Sequence, residues 1–263
     1  ISAVESTVYS NVSVTRSAAY NTANSYKNLN WILYETNRTG GANITIPVWI
    51  ANTTNLPKNV TGMPYCWGGC MSVSDYVSKI NQGYQAGNVN MMTIGYVANT
   101  AGVDCSGYAS MVYNLGSHYT TAGFKNAGFQ QINWNQLCKM DFALMRKDMT
   151  NSSNIAGKGN HIMLCHTRTH DTTYAFYESN STAGKVRWYE YSQNQLNNSG
   201  YVLFRAFSTG HEEGTTWSYN SQYHYHTCVH GCNNSGGFTH YDHSFIYSGS
   251  AKTCRVCGYT TSD

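Results

Sequence analysis

Charge is scarce in this chain: Asp, Glu, Lys and Arg make up 11% of its 263 residues, against the usual quarter. No run of Lys and Arg forms a stripe, and phosphate backbones are gripped by several such charges together, so nucleic acid is not an expected partner. The net charge of +3 is too small to establish attraction to an anionic wall polymer. No apolar run approaches the roughly 18 residues of a bilayer-spanning helix, so no transmembrane segment is expected. What is present is a hydrophobic fraction of 41%, enough for a core and against wholesale disorder. Polarity comes from Asn, Ser, Thr, Gly and 22 tyrosines. Such a surface hydrogen-bonds rather than pairs ions, which suits a carbohydrate-rich or cell-wall setting and equally suits a compositional habit of the source. Ile1 in place of Met fits a mature product without its signal peptide, so a secreted or cell-surface monomer is the expectation.

The pattern along the chain predicts helices first and a sheet afterwards. Tyr26, Leu29, Ile32 and Leu33 recur at helical spacing. "ITIPVWI" (44–50) reads as extended or turn-like because Pro47 interrupts it. "SVSDYVSKINQGYQAG" (72–87) reads as a helix capped by Ser74 and stopped by Gly87. "VDCSGYASMVYNLG" (103–116) is the strongest helical stretch, with Cys105 at its start. "NHIMLCHTR", "TTYAFYES", "KVRWYEYS" and "GYVLFRAF" read as successive antiparallel strands. The fold class is therefore α+β, with N-terminal helices packed on an antiparallel sheet. The expected organisation is a helical and extended segment over 1–60, a catalytic domain over 61–207, a linker over 208–222 and a small Cys/His-rich module over 223–263.

Cysteine hydrolysis needs a thiolate, a base, a group that orients the base and donors for the oxyanion. A helix N-terminus favours a thiolate through its free N–H groups and dipole, and "VDCSG" places Cys105 there. His161, at the start of an apolar strand, is the candidate base. Glu178 on the next strand is the first choice to orient it, and Asn180 the second. His166 and His170 are alternative bases past the end of the strand. Taken singly, each of these residues fits a structural role as well as a catalytic one.

The motifs "MPYCWGG" (63–69), "GVDCSGYAS" (102–110), "NHIML" (160–164), "YES" (177–179) and "GYVLFRAF" (200–207) together resemble the NlpC/P60 family of cysteine peptidases. The resemblance covers roughly residues 55–207, and Asp-Cys-Ser-Gly is its most specific element. It implies a papain-like fold, Cys105 as nucleophile, His161 as base and Glu178 near the third catalytic position. It further implies that Tyr65 and the nearby Trp67 shape the pocket and that Asp104 and Ser106 grip the free amine of a stem peptide. The implied reaction, which uses no cofactor, is hydrolysis of the amide between γ-D-glutamyl and a diamino acid of peptidoglycan. N-acyl amidase, transferase and deamidase activities share the same machinery, and a non-catalytic wall-binding protein on this fold is the rival reading. Three features depart from the family: Cys66 stands between Tyr65 and Trp67, "MRKDMTNSSNIAGKGNH" replaces a compact Gly-Asp turn, leaving Asp148 as its relic, and a long segment separates Gly69 from Cys105. The segment 70–102 is expected to form a lobe over the cleft.

With Cys105 set aside, eight cysteines remain. Cys66 with Cys70 and Cys138 with Cys165 are candidate disulfides, and an oxidising compartment is favoured. Cys228, Cys232, Cys254 and Cys257 form two closely spaced pairs. They fit one tetrahedral zinc, with His226 or His243 as substitute ligands, and fit two disulfides almost as well.

Overall fold

The computed structural model describes residues 12–149, 159–232 and 240–262. The first helix, α1 (Arg16–Lys27), starts where the Thr15 hydroxyl accepts from the Ala18 N–H at 3.1 Å, satisfying one of the donors a helix start leaves free. It buries Ala19, Ala23 and Tyr26. The helical spacing expected to continue through Leu33 ends at Lys27, because Trp31 and Leu33 point inward and Ile32 outward in strand β1 (Asn30–Leu33). Period two, with aromatic and β-branched residues, outweighs the coincidence of Leu29 and Ile32.

Pro47 precedes a single helical turn, α2 (Val48–Ala51), where extended or turn-like chain was expected, and β2 (Lys58–Thr61) pairs with β1. Helix α3 (Val73–Asn81) buries Tyr76 and Ile80. Its cap is Ser72 rather than Ser74. It ends before Gly83, whose φ of +85° turns the chain away. Gly87 lies beyond the short strand β3 (Gln85–Ala86), which runs parallel to β4 (Thr100–Ala101). Then follow α4 (Cys105–Val112) and α5 (Thr121–Asn126).

The main sheet contains β5 (Gln130–Ile132), β6 (Phe142–Met145), β7 (His161–His170), β8 (Thr173–Asn180), β9 (Lys185–Ser192) and β10 (Val202–Arg205), in the order β5-β10-β6-β7-β8-β9. All its neighbours are antiparallel. Helix α6 (Gln193–Asn198) separates β9 from β10 in sequence, and β10 inserts between β5 and β6 rather than extending the meander. His166 and His170 sit within β7, not past it.

Both faces of the sheet are covered. Ile162, Leu164, Tyr177 and Phe142 join a core with α1 and α4, while Met163, Cys165, Tyr174 and Phe176 join a second core with Leu137 and Leu196. The opposite faces of β7 thus read directly from alternate residues. Phe142 meets Phe124, Phe129 and Phe204, and complete burial of such a ring contributes roughly 1.5–3 kcal/mol. Helix α4, which carries Cys105 at its start, packs on β7 and β8.

The expected linker is partly strand: β11 (Glu213–Tyr219) pairs with β12 (Tyr223–Cys228), which pairs with β13 (Tyr241–Asp242). A second small sheet holds β14 (Phe245–Ser248), β15 (Ala251–Cys254) and β16 (Thr260–Ser262). Among the described residues no helix is long and apolar enough to cross a membrane.

Candidate active site

Asp104 caps α4. Its Oδ1 accepts from the Gly107 N–H at 2.6 Å and the Ser106 hydroxyl at 2.9 Å, and its Oδ2 from the Gly68 N–H at 3.1 Å. Cys105 is consequently the first residue of the helix, where its own N–H has no acceptor inside the helix. The Ser179 hydroxyl donates to the Val103 carbonyl at 2.7 Å. That bond ties the chain entering α4 to the strand that carries Glu178.

His161 opens β7 opposite Met145 of β6. Its Nε2 lies 2.7 Å from Glu178 Oε2, and Cys105 is close enough to the ring to act on its ionisation. Glu178 is fully buried. Arg187 Nε and the Tyr191 hydroxyl each donate to its Oε1 at 2.9 Å, and Asn180 Nδ2 donates to Oε2 at 3.2 Å. Asn180 therefore supports Glu178 and does not replace it. Arg187 stands directly across the ladder from Glu178, and neither Arg187 nor Tyr191 was foreseen. Their signal was the period-two face Arg187, Tyr189, Tyr191 on β9, which gains meaning only once the register is known.

Burial alone would lower the His161 value, but hydrogen bonds to Cys105 and Glu178 and the charges of both outweigh it and raise the value to about 10. Burial pushes the Glu178 carboxyl up, yet the hydrogen bond and charge of His161, the Arg187 charge and the Tyr191 hydroxyl bring it down to about 2. The signs fix the pH window of this pair. The His161 contribution to stability is complete below its ordinary 6.5 and is lost as pH rises through about 10. The Glu178 contribution is complete above its ordinary 4.5 and is lost as pH falls through about 2.

The loop before the helix is held by backbone. Tyr65 donates to the Gly184 carbonyl at 2.9 Å, Cys66 to Val103 at 3.1 Å and Trp67 to Asn88 at 2.8 Å. Trp67 Nε1 also donates to the Thr93 carbonyl at 3.1 Å. Tyr65 is buried, and burial followed by the charges of Cys105 and Asp104 raises its hydroxyl; it stays protonated beside the sulfur. His118, unremarked in the sequence, completes the cap: its Nε2 lies 3.3 Å from Ser106 Oγ and 3.5 Å from Asp104 Oδ1.

Gly107 lets loop and helix meet, because a Cβ there would sit 2.0 Å from the Gly69 carbonyl oxygen. In an ordinary helix interior Gly→Ala stabilises by about 1 kcal/mol. Here Gly107→Ala is expected to do the reverse, destabilising by about 2–3 kcal/mol through overpacking. A lowered midpoint of urea unfolding checks this, and a raised one refutes the close approach.

All nine cysteines are free thiols, so neither expected bridge, Cys66–Cys70 nor Cys138–Cys165, is present, and Cys105 is not bridged to Cys66. Cys66 lies 3.1 Å from the Thr100 hydroxyl, and burial pushes its thiol up to about 12 and that of Cys70 to about 11. His166 stacks on Tyr20 and leans on Tyr177, on a different part of β7 from His161, and burial lowers its value. Asp148 forms exposed ion pairs with Lys125 and Arg146; most of the long Ser/Asn/Gly loop after it lies outside the described residues.

Tyr191 also borders a cavity of about 450 Å³ lined by Met145, Leu196 and Tyr201. A larger groove of about 870 Å³ runs between α1 and α3 past Tyr26, Val77 and Met111, and none of the foreseen site residues lines it.

The four C-terminal cysteines do not converge on one centre. Cys228 and Cys232 join Cys138 and His211, while Cys254 and Cys257 join His224 and His243. Within each group the donor atoms lie within 4.8 Å of one another, so each could hold a metal ion. Of the two substitute ligands, His243 belongs to the second group. His226 belongs to neither: its Nδ1 lies 2.9 Å from Glu213 and its ring packs on Trp217.

Comparison of the chain with protein-family models, with curated proteins and with solved structures finds no match.

Proposed function

We propose that the chain is a secreted or cell-surface cysteine endopeptidase acting on peptidoglycan stem peptides, cutting between γ-D-glutamyl and a diamino acid. It does so as a monomer on a papain-like arrangement of the NlpC/P60 kind. One observation carries this reading. A cysteine at a capped helix start lies beside a histidine whose pKa it helps to raise and whose Nε2 is held at 2.7 Å by a buried glutamate.

An imidazole raised to about 10 keeps its proton through the neutral range, so His161 stores the proton that leaves Cys105. The sulfur attacks the scissile carbonyl, and the Cys105 N–H and the Tyr65 hydroxyl donate to the oxyanion. His161 then delivers its proton to the departing amine, leaving a thioester on Cys105. Neutral His161 next takes a proton from water as that water attacks the thioester; the C–S bond then breaks, releasing the acid and leaving the Cys105 thiolate beside the protonated imidazole from which the cycle began. Glu178 holds the ring's orientation throughout and offsets its charge.

Asp104, with Ser106 and His118 beside it, provides the negative end that receives the substrate's free amine. The expected outcome is that a tripeptide stem with a free N-terminus is hydrolysed and its N-acetylated counterpart at least about 10²-fold more slowly, since a buried carboxylate then loses its partner. Liquid chromatography with mass spectrometry reads both rates and the bond cut. Equal rates reject the amine site; an intact amide with an acyl group moved to another acceptor rejects hydrolysis. The C-terminal segment acts as an accessory module with a structural Zn2+ on His224, His243, Cys254 and Cys257, a Cys2His2 donor set suited to that ion.

A further inference from the structure

A second Cys/His group lies where the terminal segment meets the main sheet. Cys138 comes from the turn before β6, His211 from the chain after β10, Cys228 from the end of β12 and Cys232 from just beyond it. We infer that these four residues bind a Zn2+ ion that staples the terminal segment to the catalytic domain. The inference stands apart from the catalytic reading.

Parity argues first. Three sulfurs, all buried, meet one imidazole. A disulfide would use two of the thiols and strand the third, whereas a Cys3His set satisfies all four donors with one ion. Distance argues next. Cys138 Sγ and Cys232 Sγ are 3.5 Å apart, and Cys232 Sγ is 3.1 Å from His211 Nδ1. A disulfide needs about 2.05 Å, while tetrahedral zinc with Zn–S bonds of about 2.3 Å has edges of about 3.8 Å. The donors stand close to those edges, and a contraction to a disulfide would be larger.

The turn that presents Cys138 is held independently of any metal. The Cys138 N–H donates to Asp141 Oδ2 at 3.0 Å, and Asp141, fully buried, also receives Arg16 at 3.2 Å and the Ala206 N–H at 3.2 Å. Its backbone carbonyl accepts from the Cys165 N–H of β7 at 2.7 Å. The Arg168 N–H of β7 in turn donates to the Cys232 carbonyl at 3.2 Å. Cys138 is therefore fixed to the sheet, and the other three ligands arrive with the chain after β10, which is the geometry of a cross-link. Thiolate-rich donors select zinc over hard cations such as Mg2+ and Ca2+.

The test is metal content by elemental analysis of the full chain expressed with Zn2+, beside the Cys138→Ser and His243→Ala variants. Two equivalents are expected in the wild type and one in each variant. Alkylation mapping covers the case in which a variant misfolds: in the wild-type protein Cys138, Cys228 and Cys232 should be protected and become reactive together after chelation. A wild type that holds no more zinc than Cys138→Ser, a Cys138 that labels equally with and without chelator, or a disulfide among the three sulfurs in intact-mass analysis overturns the inference.

Discussion

Cys105→Ala is expected to abolish release of stem-peptide fragments from purified wall, lowering kcat/KM by at least about 10⁴-fold. The loss should be chemical rather than structural. Cys105 is nearly buried at the edge of the α4 packing, and removing one sulfur there costs about 1 kcal/mol, so the unfolding transition should barely move. His161→Ala should fall to a similar residual rate, and the double variant no further, because a nucleophile and its proton carrier act as one unit. Retained hydrolysis in Cys105→Ala would assign the activity to other residues.

Glu178→Gln should be nearly as damaging, by about 10²–10⁴-fold, although Glu178 never touches substrate in this mechanism. Gln keeps the shape and loses the charge. His161 then gives up one of the partners that hold it at about 10, so the alkaline limb of kcat/KM moves to lower pH. A structural role alone would lower the rate and leave that limb in place. The variant also leaves the half-buried Arg187 without its anion, and with one partner still reached by solvent the loss is about 1–2 kcal/mol. This stability loss should be largest between about pH 4.5 and 6.5, where both native protonation states are fully favoured, and should shrink toward about 2 and toward about 10.

The residues of the proposed site were legible because each lies in a strongly patterned segment. α4 is a helix by apolar spacing with Asp104 as cap, β7 and β8 are strands by alternation, and Cys105, His161 and Glu178 stand at positions those elements fix. Arg187 and Tyr191 were not legible, since their meeting with Glu178 depends on the β8–β9 register. Register is a property of the pair of strands, not of either one. The same reason hid β6, four buried residues with no alternation, and the insertion of β10 beside it. Among the cysteines, short spacing suggested that Cys228 and Cys232 belong with Cys254 and Cys257. Folding instead brings Cys138, 94 residues from Cys232, into the first group. Local spacing identifies which residues can bind a metal, and only the tertiary path decides which of them share one.

The pairing of Cys105 with His161 is tested most directly by the rate at which iodoacetamide labels each cysteine at pH 7, read by peptide mapping in the wild type and in His161→Ala. Cys66 and Cys70, whose thiols burial raises to about 12 and 11, serve as internal references. Cys105 should label at least about 10-fold faster than either, as expected of a thiol activated by a neighbouring cation, and should lose that advantage in the variant. A Cys105 that labels no faster than Cys70, or one unaffected by loss of the imidazole, would contradict the account.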